Sequence, residues 1–340
     1  MIAASVTFLG LSSPALAKTK AELRVATTPD GRQGQTEHAA LAIQTALDRA
    51  RFSPGPMDGK IGANTRKAIA AFQRSRALPE TGKPDDQLRT ALGVAAETSP
   101  LVEYVISQAD VAGPFEPDIP EKLEDKAKLE RLSYTSAGEL LGEKFHISVE
   151  ALKGLNPGKP LDKSGTQIQV PRIERGRAIK AARLEVDKQI GGVLVYGRNN
   201  AMIAFFPATI GSQETPSPTG IAKVTRIARN PTYTYDPAKL NFKGVNATEK
   251  LVIKPGPNNP VGLVWIALNQ PGYGIHGSPE PSAISRQNSH GCVRLTNWDA
   301  LDLAGMVSPG TPVVFKDGAE RDFSRDDEQP AATADEISPR

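Results

Sequence analysis

Residues 182–206 read ARLEVDKQIGGVLVYGRNNAMIAFF. Ala182, Leu184 and Val186 alternate with Arg183, Glu185 and Asp187, a period of two that sends one set to each face of a β-strand. Gly191-Gly192 and Asn199-Asn200 stand at turn positions and separate Val193–Tyr196 from Ala201–Phe206, so three strands follow through tight turns. Further strands are expected at 222–227, 251–253, 261–268 and 312–315, with one helix that opens at Asn297 as N-cap and runs to about Met306. Many short strands with a single helix imply a sandwich or barrel-like unit, not alternating β-α units.

Working outward from that unit, the chain changes character several times. Residues 36–95 read as three short helices: Ile43, Leu47 and Ala50 at helical spacing, a break at 53–59, a second helix capped by Thr65, and a third from about Pro84 to Leu92. Residues 96–133 are interrupted by prolines and then charged, the pattern of a linker passing into a helix. In 134–171, Leu140, Leu141, Phe145, Val149, Leu152 and Leu155 suggest two helices, Asn156-Pro157 turns, and 167–170 alternates like a strand. The expected fold class is therefore multidomain α+β: a small three-helix N-terminal domain, a middle segment, and a mainly β, sandwich- or barrel-like domain at about 180–316. Residues 317–340 carry eight acids against three arginines and read as a disordered acidic tail. Residues 1–17 form an apolar run ending Ala15-Leu16-Ala17, read as a signal peptide cut before Lys18.

Composition bounds the function. The 340 residues suit two or three domains, and 39% hydrophobic residues suffice for packed cores. A net charge of +3, without a Lys/Arg stripe interleaved by aromatics, gives no sign of nucleic-acid binding. No later stretch approaches the ~20 apolar residues of a spanning helix, so no membrane span is expected after signal cleavage. A single cysteine excludes an intrachain disulfide and Cys₂ or Cys₄ zinc sites.

That cysteine, Cys292, lies in Ser289-His290-Gly291-Cys292-Val293-Arg294, sixteen positions after His276 in Gly274-Ile275-His276-Gly277-Ser278. A thiol is a poor nucleophile until it loses its proton, and a nearby imidazole can take it. Gly291 allows the amides of 291 and 292 to turn toward one oxygen, as an oxyanion hole needs, which makes an acyl carbon the expected electrophile. Three other readings stand beside this one. Cys292 could be a buried small hydrophobe. His276, His290 and Cys292 could hold zinc, although no neighbouring acid is evident. A papain-like protease would place its cysteine well before its histidine, opposite to the order here.

Three stretches resemble known families. Gly55-Pro56-Met57-Asp58-Gly59-Lys60-Ile61-Gly62, Thr65, Ala71-Phe72-Gln73 and Leu78 resemble peptidoglycan-binding domain 1, and Asp58-Gly59 is read as a turn because the ligands of a calcium loop are absent. Phe145, Leu152, Asn156 and Ile168-Gln169-Val170-Pro171 are similar to a LysM-type glycan-binding module; on its residues alone the segment is equally a helical pair. His276-Gly277 and the 289–294 motif, with 215–220, 257–262, Trp265 and 310–313, resemble the YkuD-type L,D-transpeptidases over about residues 180–316.

That last resemblance implies site roles. Cys292 is the nucleophile and His276 its base, oriented by the carbonyl of Gly277. His290 and the amides of Gly291 and Cys292 line the oxyanion hole. Arg294 binds a stem-peptide carboxylate or braces the loop, and Ser289 supports it. The implied activity is cleavage of the diaminopimelate–D-Ala bond of a peptidoglycan tetrapeptide through a thioester and transfer to a stem amine or a protein lysine. The alternatives are an L,D-carboxypeptidase of the same fold and a non-catalytic peptidoglycan-binding protein. The expected partners are stem peptides and glycan, the expected location periplasmic or wall-associated, and neither metal nor organic cofactor is expected.

Overall fold

The computed structural model describes residues 32–94, 99–211, 217–238, 245–286 and 291–316. The expected leader and acidic tail lie outside the described residues, as do Ser289 and His290.

Helices α1 (Arg32–Arg49), α2 (Ala63–Ser75) and α3 (Asp86–Leu92) form the N-terminal unit. Ile43, Leu47, Ala68, Ile69, Phe72 and Leu88 make its core. Gln44, buried on α1, donates to Asp58 Oδ1 and the Lys60 carbonyl, both at 2.9 Å, and accepts from the amides of Asp58 and Gly59. Asp58-Gly59 is thus a turn tied to a helix by one amide side chain. Thr65 does not cap α2; Gly62 is the N-cap, and Thr65 is buried one turn in, where its hydroxyl accepts from Gln44 at 3.2 Å.

The middle unit departs from the sequence expectation. Residues 96–133, expected as a linker, contain β1 (Leu101–Val105), α4 (Gln108–Val111) and α5 (Leu123–Lys126). After α6 (Ala137–Lys144) and α7 (Val149–Leu155), β2 (Gln167–Pro171) returns antiparallel to β1, with Leu101 opposite Pro171. Val102, Ile106, Leu141, Phe145, Leu152, Ile168 and Val170 close this β-α-α-β core.

The C-terminal unit holds β3 (Arg183–Asp187), β4 (Gly192–Tyr196), β5 (Met202–Pro207), β6 (Thr209–Ile210), β7 (Gly220–Arg229), β8 (Tyr233–Tyr235), β9 (Leu251–Ile253), β10 (Val264–Leu268), β11 (Gly274–His276), β12 (Val293–Arg294), α8 (Asn297–Met306) and β13 (Pro312–Lys316). Nine of these strands form one sheet in the order β5-β4-β3-β13-β7-β10-β11-β12-β6. Its two ends, β5 and β6, are separated in the chain by Ala208 alone, so the sheet curls until its edges nearly meet. Helix α8 packs on β10 and β11, and Ala300, Leu303 and Met306 join the core formed by the inner sheet face. Thr296, not Asn297, is the N-cap, accepting from the Asp299 amide.

The near-continuous apolar runs of β4 and β5 follow from burial on both faces. Val193, Val195, Ala204 and Phe206 point into the sheet's own core, whereas Leu194, Met202 and Phe205 complete the core of the N-terminal helices. Full burial of a side chain such as Phe205 contributes about 1.5–3 kcal/mol. Residues 51–53 cover the β5 edge: Phe205 N donates to Arg51 O at 2.9 Å and Ser53 N to Phe205 O at 2.8 Å. Arg175 links the units, its guanidinium 2.6 Å from Asp48 of α1 and 2.6 Å from Asp302 of α8. His146 of the middle unit meets the same Asp48 at 3.0 Å and stacks on Trp298. Among the described residues, no helix is long and apolar enough to cross a membrane.

Candidate active site

The site grows from the parallel pairing of β11 and β12, in which Ile275 is opposite Val293 and His276 opposite Arg294. Ile275 and Val293 point into the α8 core. Strand alternation therefore turns His276 and Arg294 to the other face, and Cys292 stands at a bend immediately before β12. The half-buried Cys292 thiol donates to the Gly272 carbonyl at 3.7 Å, which puts it alongside the strand leading to His276. Gly291 has φ +99°, a conformation that an L side chain rarely adopts.

His276 is buried at 4% exposure, and its Nδ1 lies 2.7 Å from the carbonyl of Gly277. A carbonyl only accepts, so Nδ1 carries the proton and Nε2 keeps its lone pair. Trp265, the register partner of His276 on β10, stacks on the imidazole at 5.4 Å. Burial pushes the His276 pKa down to about 4; the Gly277 bond opposes this and the Arg294 cation adds to it. Burial also raises the Cys292 thiol, against a backbone hydrogen bond from Gly274 and the charge of Arg294. Burial thus favours the neutral form of each group, so a proton would have to leave the thiol as it attacks.

Arg294 is half-buried, its Nε sealed without a hydrogen-bond partner among the described residues. It borders a cavity of about 180 Å³ with Thr209, Pro260, Ser278, Pro279, Ile284 and one acid, Glu280. An anionic group there would satisfy both the charge and the orphaned N–H. The structure thus brings together Cys292, His276, Gly277, Gly291 and Arg294. Among the described residues no cluster of three or more His, Cys, Asp or Glu could hold a metal ion.

Two further participants carry no local sequence signal. Tyr233 of β8 lies near the sulfur; its pKa is pushed up to about 12 by burial and then by Cys292. Asn297, fully buried, braces the histidine loop: its Oδ1 accepts from Leu263 N at 3.0 Å, and a Cβ at Gly262 or Gly277 would overlap that oxygen.

Comparison with known proteins gives this site a family. Residues 181–315 match a family described as "L,D-transpeptidase catalytic domain", and residues 37–92 one described as "putative peptidoglycan binding domain". The chain therefore carries an L,D-transpeptidase catalytic domain joined to a peptidoglycan-binding domain, and it is an enzyme of that kind. It is 28% identical over 173 residues to the putative L,D-transpeptidase YkuD of Bacillus subtilis, covering 50% of this chain and 88% of that one. It is 29% identical to the probable L,D-transpeptidase YbiS of Escherichia coli, covering 53% of this chain and 60% of that one. A crystal structure of an Enterococcus faecium L,D-transpeptidase mutant aligns at 24% identity and a TM-score of 0.31, over 41% of this chain and 50% of that chain. The chain thus spans less than two thirds of the latter two proteins.

Proposed function

We propose that this chain is an exported L,D-transpeptidase that cross-links peptidoglycan through a Cys292 thioester. The observation that carries the reading is the buried His276, fixed through Nδ1 by the Gly277 carbonyl at the end of the strand that pairs with β12, which begins directly after Cys292. His276 Nε2 takes the thiol proton as Sγ attacks the carbonyl between the third stem residue, diaminopimelate, and D-Ala. The amides of Gly291 and Cys292, together with His290, hold the oxyanion. The C–N bond breaks, D-Ala leaves with the histidine's proton, and a thioester remains. An amine of a neighbouring stem or of a protein lysine then attacks, returns a proton to His276 as it becomes an amide, and releases the thiol.

Arg294 binds a substrate carboxylate at its cavity, and Ser289 supports the loop. Residues 37–92 tether the enzyme to its polymer and raise the local substrate concentration. A cleft of about 470 Å³ on the middle unit, lined by Ala137, Val149, Lys153, Asn156 and Lys159, has the size and mixed polarity to take part of a glycan strand. Export to the periplasm or wall follows from reading residues 1–17 as a leader.

The test is mass spectrometry of residues 18–340 with tetrapeptide-bearing muropeptides, beside Cys292→Ala. The expected result is a covalent adduct on Cys292, release of D-Ala, and dimeric products, all lost in the variant. Trimmed tripeptides without dimers would make water the acceptor and the enzyme a carboxypeptidase. A folded protein that forms neither adduct nor product would leave only wall binding.

A further inference from the structure

Helix α6 belongs to the middle unit, with Leu141 in that unit's core. Two of its acids, Glu139 and Glu143, are one turn apart and so share a face. Both reach into the catalytic domain. Glu139 Oε1 accepts from Asn258 Nδ2 at 2.8 Å, and Glu143 Oε1 accepts from Asn297 Nδ2 at 2.8 Å. Asn297 also donates to the Pro257 carbonyl at 3.1 Å, while its Oδ1 holds Leu263 N and abuts Gly277. Gly277 is the residue whose carbonyl fixes His276 Nδ1. A continuous set of contacts therefore runs from Glu143 through Asn297 to the catalytic loop.

Glu143 is an odd choice for plain stability. It is 8% exposed, and among the described residues no cation pairs with it and its other oxygen has only Tyr134 OH at 3.4 Å. Burial, opposed by the Asn297 bond, pushes its pKa up to about 8. A buried acid without a cation costs folding free energy, and an apolar residue of similar volume is often better tolerated. Its placement makes sense if the acceptor is needed to hold the Asn297 amide.

We propose that Glu143 is a positioning residue for the transpeptidase site: from the middle unit it orients Asn297, and through Asn297 it sets the Gly277 carbonyl that aims His276 at Cys292. The middle unit is in this sense part of the catalytic apparatus. The inference rests on the reading of Cys292 and His276 as nucleophile and base.

Two readouts separate failure of this inference from failure of that reading: muropeptide turnover, and the rate at which iodoacetamide alkylates Cys292, which needs no acyl substrate. Glu143→Leu removes the acceptor and the buried acid together. We expect its melting temperature to hold or rise while kcat falls about tenfold at unchanged KM, and alkylation near neutral pH to slow by a similar factor. Glu143→Gln retains an acceptor oxygen and should restore both rates to within about twofold. A folded Glu143→Leu with wild-type kcat and alkylation overturns the proposal, and so does Glu143→Gln impaired as much as Glu143→Leu. Should the leucine variant not fold, Glu143→Asp, whose carboxylate is drawn back by one methylene, must show the same selective loss; wild-type rates there also overturn the proposal. If the native enzyme does not turn over muropeptides, the transpeptidase reading fails, and alkylation alone then decides whether Glu143 acts on the Cys292–His276 pair.

Discussion

Arg294 is the cross-strand partner of His276, so a permanent cation stands beside the imidazole proposed as base. It acts in the same direction as burial and disfavours imidazolium, while the Gly277 carbonyl fixes the tautomer. The same cation lowers the Cys292 pKa against the raising effect of burial. Burial favours the neutral form of both groups, and the proposed mechanism then has proton transfer coincide with attack on the substrate.

The acid limb of the rate profile should report this. As the proposed base, His276 would act only while neutral, and burial holds its pKa down to about 4. Measured kcat/KM should hold on descending below pH 6.5 and fall with a midpoint near 4. A limb at 6 or above, or thiolate absorbance in the resting enzyme at neutral pH, would contradict the neutral pair.

Arg294→Gln removes the cation that lowers both pKa values, so each should rise. The acid limb then moves to higher pH, and Cys292 alkylation needs more alkaline solution. Loss of the partner for a substrate carboxylate should also raise KM. Unchanged profiles with unchanged KM would remove Arg294 from both roles.

Deleting the N-terminal helices should harm more than wall binding. Leu194, Met202 and Phe205 on the outer face of β4 and β5 are buried only in their company, and residues 51–53 cover the β5 edge. A chain lacking 36–95 should melt lower and aggregate through the uncovered edge, which differential scanning calorimetry and light scattering would register. Unchanged melting in that truncation would show the interface to be dispensable.

What the sequence disclosed depended on how local the cause was. The strands of 182–206 were legible because alternation and turn residues lie within a few positions; Cys292 and His276 could be singled out as candidates because they sit in short glycine-flanked motifs. The strand Leu101–Val105 was not, since its partner lies past two helices at Gln167–Pro171. Thr65 looked like a cap because its role is set by Gln44, twenty-one positions upstream. Glu143 carries no signal in the sequence, because its partner Asn297 is 154 positions away.

The junction of the three units should give stability a pH window. Burial would raise Asp48, but His146 and Arg175 hold it down to about 2, against 3.8 for a free carboxyl. Its stabilisation is present above about pH 4 and is lost as pH falls toward 2. Asp299 has the opposite sign. Burial raises it to about 7 despite Arg175, with Ser53 Oγ donating to Oδ2 at 2.8 Å and Oδ1 unpartnered among the described residues. A raised folded pKa means full stability below the unfolded value and a loss as pH climbs through 7. Asp299→Asn keeps an acceptor for Ser53 and cannot ionise, so it should melt several degrees above the native protein at pH 8 and match it near pH 4. Asp48→Asn should melt lower than the native protein at pH 7, with the gap closing toward pH 2. A Tm difference independent of pH for either variant would mean that packing, not ionisation, sets the energetics of this junction.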